Sequence, residues 1–172
     1  MKNKRCIPGA LGPWRFMLMV CVFSTAAYAQ TSSLPVEISA VHSLEWNRAE
    51  KTYTAREKVV AIQGTSKIES DTLVAHYSEN NGATNITMLK ADGHVTVSSP
   101  PYIATGDHAV YDLKTGKAVL TGKVRMLEGK NWLEGTRAVV DTKSGISQLF
   151  GTGNADTDDR VRGVFYPAEQ KN

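Results

Sequence analysis

From Leu34 onward the chain alternates with a period of two, and that pattern leaves few folds open. Leu89, Ala91, Gly93, Val95 and Val97 are apolar or glycine, while the interleaved Lys90, Asp92, His94, Thr96 and Ser98 are polar. One face is dry and the other wet, as in an antiparallel strand covered on one side. Turn signals follow the strands closely: Asn80-Asn81-Gly82, Lys114-Thr115-Gly116 and Lys143-Ser144-Gly145. Each offers a glycine where a hairpin needs positive φ. Proline cannot sit in a central ladder, so Pro100-Pro101 is expected to separate two hairpins. No helical stripe of ten residues interrupts this pattern, and the body is assigned as all-β.

The pattern also repeats. Gly106 to Asp112 returns 29 positions later as Gly135 to Asp141, and the same offset carries Lys114 to Lys143, Gly116 to Gly145, Leu120 to Leu149 and Gly122 to Gly151. An earlier copy places Leu44, Trp46, Asn47 and Val59 where Ala109, Tyr111, Asp112 and Val124 stand later. Another begins at Asp71 and carries extra residues around Asn80 to Met88. Each unit reads as a strand, a turn, a strand and a crossover. One such hairpin is marginal alone, so the copies must stack or close together. A glycine recurs in mid-strand, at Gly93 and Gly122, which predicts a bend, a bulge or a close backbone approach. The first copy has Glu57 there instead.

The first 29 residues are read as an export signal. Lys2, Lys4, Arg5 and Arg15 come before the small residues of Ala27-Tyr28-Ala29, an apolar run from Trp14 to Phe23 lies between, and cleavage is expected before Gln30. That run is short for a bilayer span. An uncleaved anchor is the alternative. The signal resembles a bacterial one, so the destination is the periplasm. Both cysteines, Cys6 and Cys21, lie inside this segment, which leaves residues 30–172 without a disulfide. Four of the 20 basic residues and none of the 17 acidic ones precede Gln30, so the remainder carries 16 against 17. A basic nucleic-acid binder is thereby disfavoured. Residues 30–155 form the expected domain, and residues 156–172 a polar, mobile tail.

Catalytic signatures are missing. The chain has no Gly-x-Ser-x-Gly elbow, His-Glu-x-x-His, phosphate loop or cysteine pair. No enzyme activity, cofactor or metal is expected. His42, His76, His94 and His108 fall at equivalent or neighbouring strand positions and read as solvated. Asp156, Asp158 and Asp159 read as a solvated acidic tail rather than a calcium site. Arg160, Arg162 and Lys171 are read as part of a soluble tail, with lipid-headgroup phosphates as the sharper alternative.

What the alternation does supply is a lining. The expected inward positions are Val36, Ile38, Leu44, Trp46, Leu73, Ala75, Tyr77, Ala109, Tyr111, Ala118, Leu120, Val124, Met126, Ala138 and Val140. Many are small, so the interior can keep unfilled apolar volume of the kind ligands favour. A filled sandwich core is the plain alternative.

The residues that carry a family resemblance are Ala91 to Val95 (Ala-x-Gly-x-Val), Leu120 to Val124 (Leu-Thr-Gly-Lys-Val) and Gly106 to Tyr111. Val36 to Ala40 and Leu133-Glu134-Gly135 add to them. Together they resemble the LptA/OstA-like family of periplasmic lipopolysaccharide transport proteins, over roughly Leu34 to Gly153. The resemblance implies a twisted antiparallel β-jellyroll, an incompletely closed barrel with an apolar interior. It implies a carrier and bridge that binds lipopolysaccharide acyl chains and passes them from an inner-membrane complex to an outer-membrane translocon. Partners sharing the fold element and end-to-end self-association through open edge strands follow from it too, with edges at Val36 to Ala40 and near Ser147 to Gly153. It singles out Val36 and Ile38 as lying at the lipid-contacting mouth. A membrane-anchored relative feeding the bridge, and a β-sandwich glycan-binding envelope module, are the alternatives.

Overall fold

The computed structural model describes residues 34–80, 82–153 and 160–167. The export signal and the Asp156, Asp158, Asp159 cluster lie outside them. Ten antiparallel strands follow one another: β1 (Glu37–Ser39), β2 (Ser43–Asn47), β3 (Thr52–Gln63), β4 (Ser66–Asn80), β5 (Ala83–Ser99), β6 (Tyr102–Asp112), β7 (Lys117–Glu128), β8 (Asn131–Asp141), β9 (Ile146–Phe150) and β10 (Arg162–Val164). β3 to β8 form a continuous meander. At one end β1 and β2 both pair with β3, and at the other β9 and β10 both pair with β8. Among the described residues no pairing joins the two ends, so the sheet does not close into a barrel.

Turn chemistry sets the hairpins. At the β6–β7 turn the Thr115 amide donates to the Asp112 carboxylate (2.9 Å), and Gly116 N–H returns to the Asp112 carbonyl (2.8 Å). At the β8–β9 turn the Lys143 and Ser144 amides donate to Asp141 (both 3.0 Å), and Gly145 N–H returns to its carbonyl (2.9 Å). The 29-residue repeat is therefore a repeat of one turn, with an aspartate that satisfies the backbone amides. These donors hold both carboxyls below the ordinary carboxylate range.

Three expectations are revised. No crossover follows each unit, because from β3 to β8 every strand pairs with the next in order. Pro100-Pro101 does not separate hairpins; it is the two-residue turn of the β5–β6 hairpin, where Ser99 pairs with Tyr102. A tip demands no ladder hydrogen bond, so proline fits there as well. Part of the expected tail is also ordered: Arg162–Val164 pairs with Trp132–Glu134 as β10. The extra residues around Asn80 lengthen the β4–β5 hairpin, where Tyr77–Asn80 pairs with Ala83–Ile86.

The mid-strand glycines belong to a ladder of bulges. β3, β5 and β7 each place two residues opposite one on a neighbour: Glu57-Lys58 against Asp71, Gly93-His94 against Asp107, and Gly122-Lys123 against Thr136. Gly93 (φ 79°) and Gly122 (φ 99°) have positive φ, and a Cβ on either would run into the carboxylate of Asp71 or Asp107. Glu57 (φ 69°) and Lys58 (φ 47°) keep the geometry without glycine, at a local steric cost. The ladder divides every long strand into two half-strands, and side chains from both halves share one buried cluster.

Candidate functional site

The inner face is built from rows that cross the whole sheet. In the half beyond the bulges one row runs Leu44, Ala55, Leu73, Ala91, Ala109, Leu120, Ala138, Leu149, each member opposite the next. A parallel row runs Trp46, Tyr53, Ala75, Leu89, Tyr111, Ala118, Val140. In the other half Ile38, Ala61, Ile68, Val97, Ala104, Met126 and Leu133 line up in the same way. Cross-strand neighbours of this kind are what stabilise a sheet. Alanine occupies many of the central positions, so the rows are shallow.

The structure brings all twelve expected lipid-facing residues onto this face but not to equal depth. Leu73, Ala75, Ala109, Leu120, Val124 and Met126 are buried in the shared core. Val36, Ile38, Tyr111 and Val140 are half-buried and pack against it. Leu44 and Trp46 remain 56% and 50% exposed, although Leu44 stands opposite the fully buried Ala55. Apolar surface thus runs without a break from the core to the open β2 edge. Tyr77, Ala118 and Ala138 lie on the same face, with Tyr77 and Ala138 buried.

At that edge the aromatic side chains hold one another. Trp46 stacks on Tyr53 (centroids 5.8 Å apart), and Tyr53 meets Tyr77 at 5.0 Å. The Trp46 indole N–H donates to the Tyr77 hydroxyl (2.9 Å), which gives that buried hydroxyl its partner. Arg48 lies 4.1 Å from the centre of the Trp46 ring.

The opposite face is polar. His94 Nδ1 meets Asp71 at 2.7 Å and His108 Nδ1 meets Asp92 at 2.6 Å. The Asp71 hydrogen bond and charge raise the His94 pKa above its ordinary value. Among the described residues no group of three or more His, Cys, Asp or Glu is arranged to hold a metal ion.

Sequence reasoning missed a groove of about 670 Å³ lined by Thr105, Asp107, Gly122, Lys123, Val124, Arg125, Glu134, Gly135, Thr136, Arg160 and Arg162. The sequence reading places Val124 on the apolar lining and Arg160 and Arg162 in a soluble tail, and does not gather them into one site. The available signal was Lys123, the one charged residue of the Leu-Thr-Gly-Lys-Val element.

Comparison with known proteins agrees with this architecture. The profile of the family described as LptA/(LptD N-terminal domain) LPS transport protein matches residues 37–146. An uncharacterized protein of Rhizobium meliloti is 28% identical over 125 residues, which is 69% of this chain and 67% of that one. A crystal structure of LptH from Pseudomonas aeruginosa, the LptA homologous periplasmic component of the conserved lipopolysaccharide transport device, superposes with a TM-score of 0.67 at 21% identity. It covers 78% of this chain and 96% of its own, and the likeness shows a shared jellyroll fold.

Proposed function

The chain belongs to the LptA/(LptD N-terminal domain) LPS transport protein family, and from that premise we propose that it is a non-catalytic periplasmic carrier and bridge for lipopolysaccharide. Its inner face takes the acyl chains and hands them from the inner-membrane complex toward the outer-membrane translocon. The observation that carries this reading is the unbroken apolar surface from the core to the half-exposed Leu44 and Trp46. Each methylene removed from water is worth about 0.8 kcal/mol, so a chain of about a dozen carbons gains on the order of 10 kcal/mol in an apolar groove. Binding of that size needs no catalytic group.

The depth of the rows supports loading from the edges. Leu73 and Leu120 are 0% and 1% exposed, so acyl chains do not reach the centre directly. They enter at the open edges, along Ile38, Leu44 and Trp46, and the two half-sheets separate to admit the rest. The same edges support end-to-end stacking: among the described residues β1 and β2 pair only with β3, and β9 and β10 only with β8, so each end offers backbone groups to a further strand.

In-cell crosslinking from a photoreactive residue at Ile38, scored for lipopolysaccharide, tests the carrier. A lipopolysaccharide adduct is expected from Ile38 and none from the polar-face position Asp92. Equal labelling at both sites would overturn the reading. Sedimentation across a concentration series tests the bridge, and a fixed monomer mass at high concentration would remove the stacking.

A further inference from the structure

At β8 the sheet forks. β9 pairs with Arg137–Asp141 and β10 with Trp132–Glu134, which leaves Gly135 and Thr136 without a ladder partner at the fork, although the Thr136 hydroxyl donates to the Phe150 carbonyl (3.1 Å). Beside that fork the last steps of the bulge ladder, Asp107 and Gly122-Lys123, line a groove that Arg160 and Arg162 border. The groove lies over this part of the sheet. Four cations line it against two carboxylates.

One carboxylate is already neutralised. Arg125 Nε lies 3.5 Å from Glu134, and the guanidinium also sits 5.1 Å from the centre of the Trp132 ring. A guanidinium held in this way is pre-positioned, and its terminal N–H groups suit a planar or tetrahedral oxyanion. Among the described residues Lys123 and Arg160 form no ion pair. The groove's volume lies within the roughly 300–1,000 Å³ typical of small-molecule sites. Val124, a lining residue, is also part of the buried core, so the groove abuts the apolar interior.

We propose that this groove binds a phosphate monoester, with Lys123, Arg125 and Arg160 as its cationic ligands. The proposal deepens the carrier reading, on which it rests for the source of the phosphate: a phosphorylated sugar headgroup whose acyl chains lie on the inner face next to it. Free phosphate is the other source of the same chemistry.

The test compares three probes on the purified protein: lipid A bearing its phosphates, the same lipid stripped of them, and inorganic phosphate. The phosphorylated lipid is expected to bind at least tenfold more tightly than the stripped one at low salt, and added salt should erode that preference. Lys123→Glu with Arg160→Glu should abolish the preference and leave binding of the stripped lipid unchanged. Both residues are exposed, so the thermal midpoint should stay put. A preference that survives the double substitution, or no preference in a parent that binds both lipids, overturns the groove and spares the carrier. If neither lipid binds, the carrier reading falls, and the groove then stands only if inorganic phosphate binds in a Lys123-dependent way. Full competition by inorganic phosphate against the phosphorylated lipid identifies free phosphate as the occupant; competition that fails identifies the headgroup.

Discussion

Leu44 offers a way to separate lipid binding from folding, because it faces inward yet is 56% exposed. Fully burying a leucine side chain is worth about 1.5–3 kcal/mol, and less than half of this one is covered, so Leu44→Asp should cost about 1 kcal/mol of stability. For a domain of this size that corresponds to a fall of roughly 3–5 °C in the melting midpoint. The effect on lipid is larger. An acyl chain at the β2 edge would lose the leucine contact and would press against a carboxylate that resists desolvation, a penalty of about 2 kcal/mol or more. That is a drop in affinity of about thirtyfold. Leu120→Ala supplies the contrast: the side chain is 1% exposed, so truncation should cost about 3 kcal/mol or more. Its effect on lipid affinity, measured well below the midpoint, should stay within about threefold. Fluorescent-lipid displacement and thermal melts on both variants give the four numbers. An Leu44→Asp protein that binds within about twofold of the parent, or that loses no more affinity than Leu120→Ala, would refute the idea that chains enter past this strand.

Gly122→Ala places a Cβ 2.6 Å from the Asp107 Cβ at a φ of 99°, and should destabilise by about 2 kcal/mol in urea melts. Adding Asp107→Ala removes the carboxylate but keeps its Cβ, so it should recover only part of the steric loss, and an unchanged midpoint in the single variant would mean the bulge tolerates a side chain. Asp112 and Asp141 have lowered pKa values, so their stabilisation is present above the unfolded value of about 4 and lost as pH falls through the folded values. Paired Asp112→Asn and Asp141→Asn substitutions should therefore flatten the acid limb of the melting profile; an identical limb would assign acid sensitivity elsewhere. His94 has the opposite sign: its contribution is full below about pH 6.5 and is lost as pH rises through the raised folded value. Asp71→Asn should lower the His94 midpoint, followed by NMR, toward its ordinary value, and an unmoved midpoint would mean Asp71 does not set it.

Much of this architecture is legible in the residues, because period-two alternation and a repeated turn are local signals. Asp112 and Asp141 announce two equivalent turns, and inner positions such as Leu73, Ala75, Ala109, Tyr111, Ala138 and Val140 follow from parity within one half of each strand. What escapes is set by neighbours in space. Nothing local to Leu44 distinguishes it from Leu73, yet one lies at an edge with a single neighbouring strand and the other in mid-sheet with two. Pro100-Pro101 reads equally well as a break or a hairpin tip, since both simply lack a ladder bond. The groove is less visible still. Lys123 and Glu134 meet across the β7–β8 hairpin, but only the return of the chain as β10 beside β8 brings the distant Arg160 to them.

The bulge ladder also explains how one alternating sequence can line a single interior twice. Leu120 and Val124 are both buried and four apart, so an unbroken strand would also have turned residue 122 inward. Instead Gly122 and Lys123 stand together opposite Thr136, and the strand re-enters the core at Val124 and Met126. On β6 the buried Ala104 and Ala109 are five apart, a spacing that in a regular strand would put them on opposite faces. Each irregularity adjusts the alternation where the neighbouring strand does the same. Ala61, Ile68, Ala104 and Met126 therefore face the same cluster as Ala55, Leu73, Ala109 and Leu120. A bulge in one strand alone would leave its neighbour out of phase. Glu57 and Lys58 fit that logic: the first copy has lost its glycine, yet both residues keep positive φ, because the adjoining strand holds Asp71 opposite them.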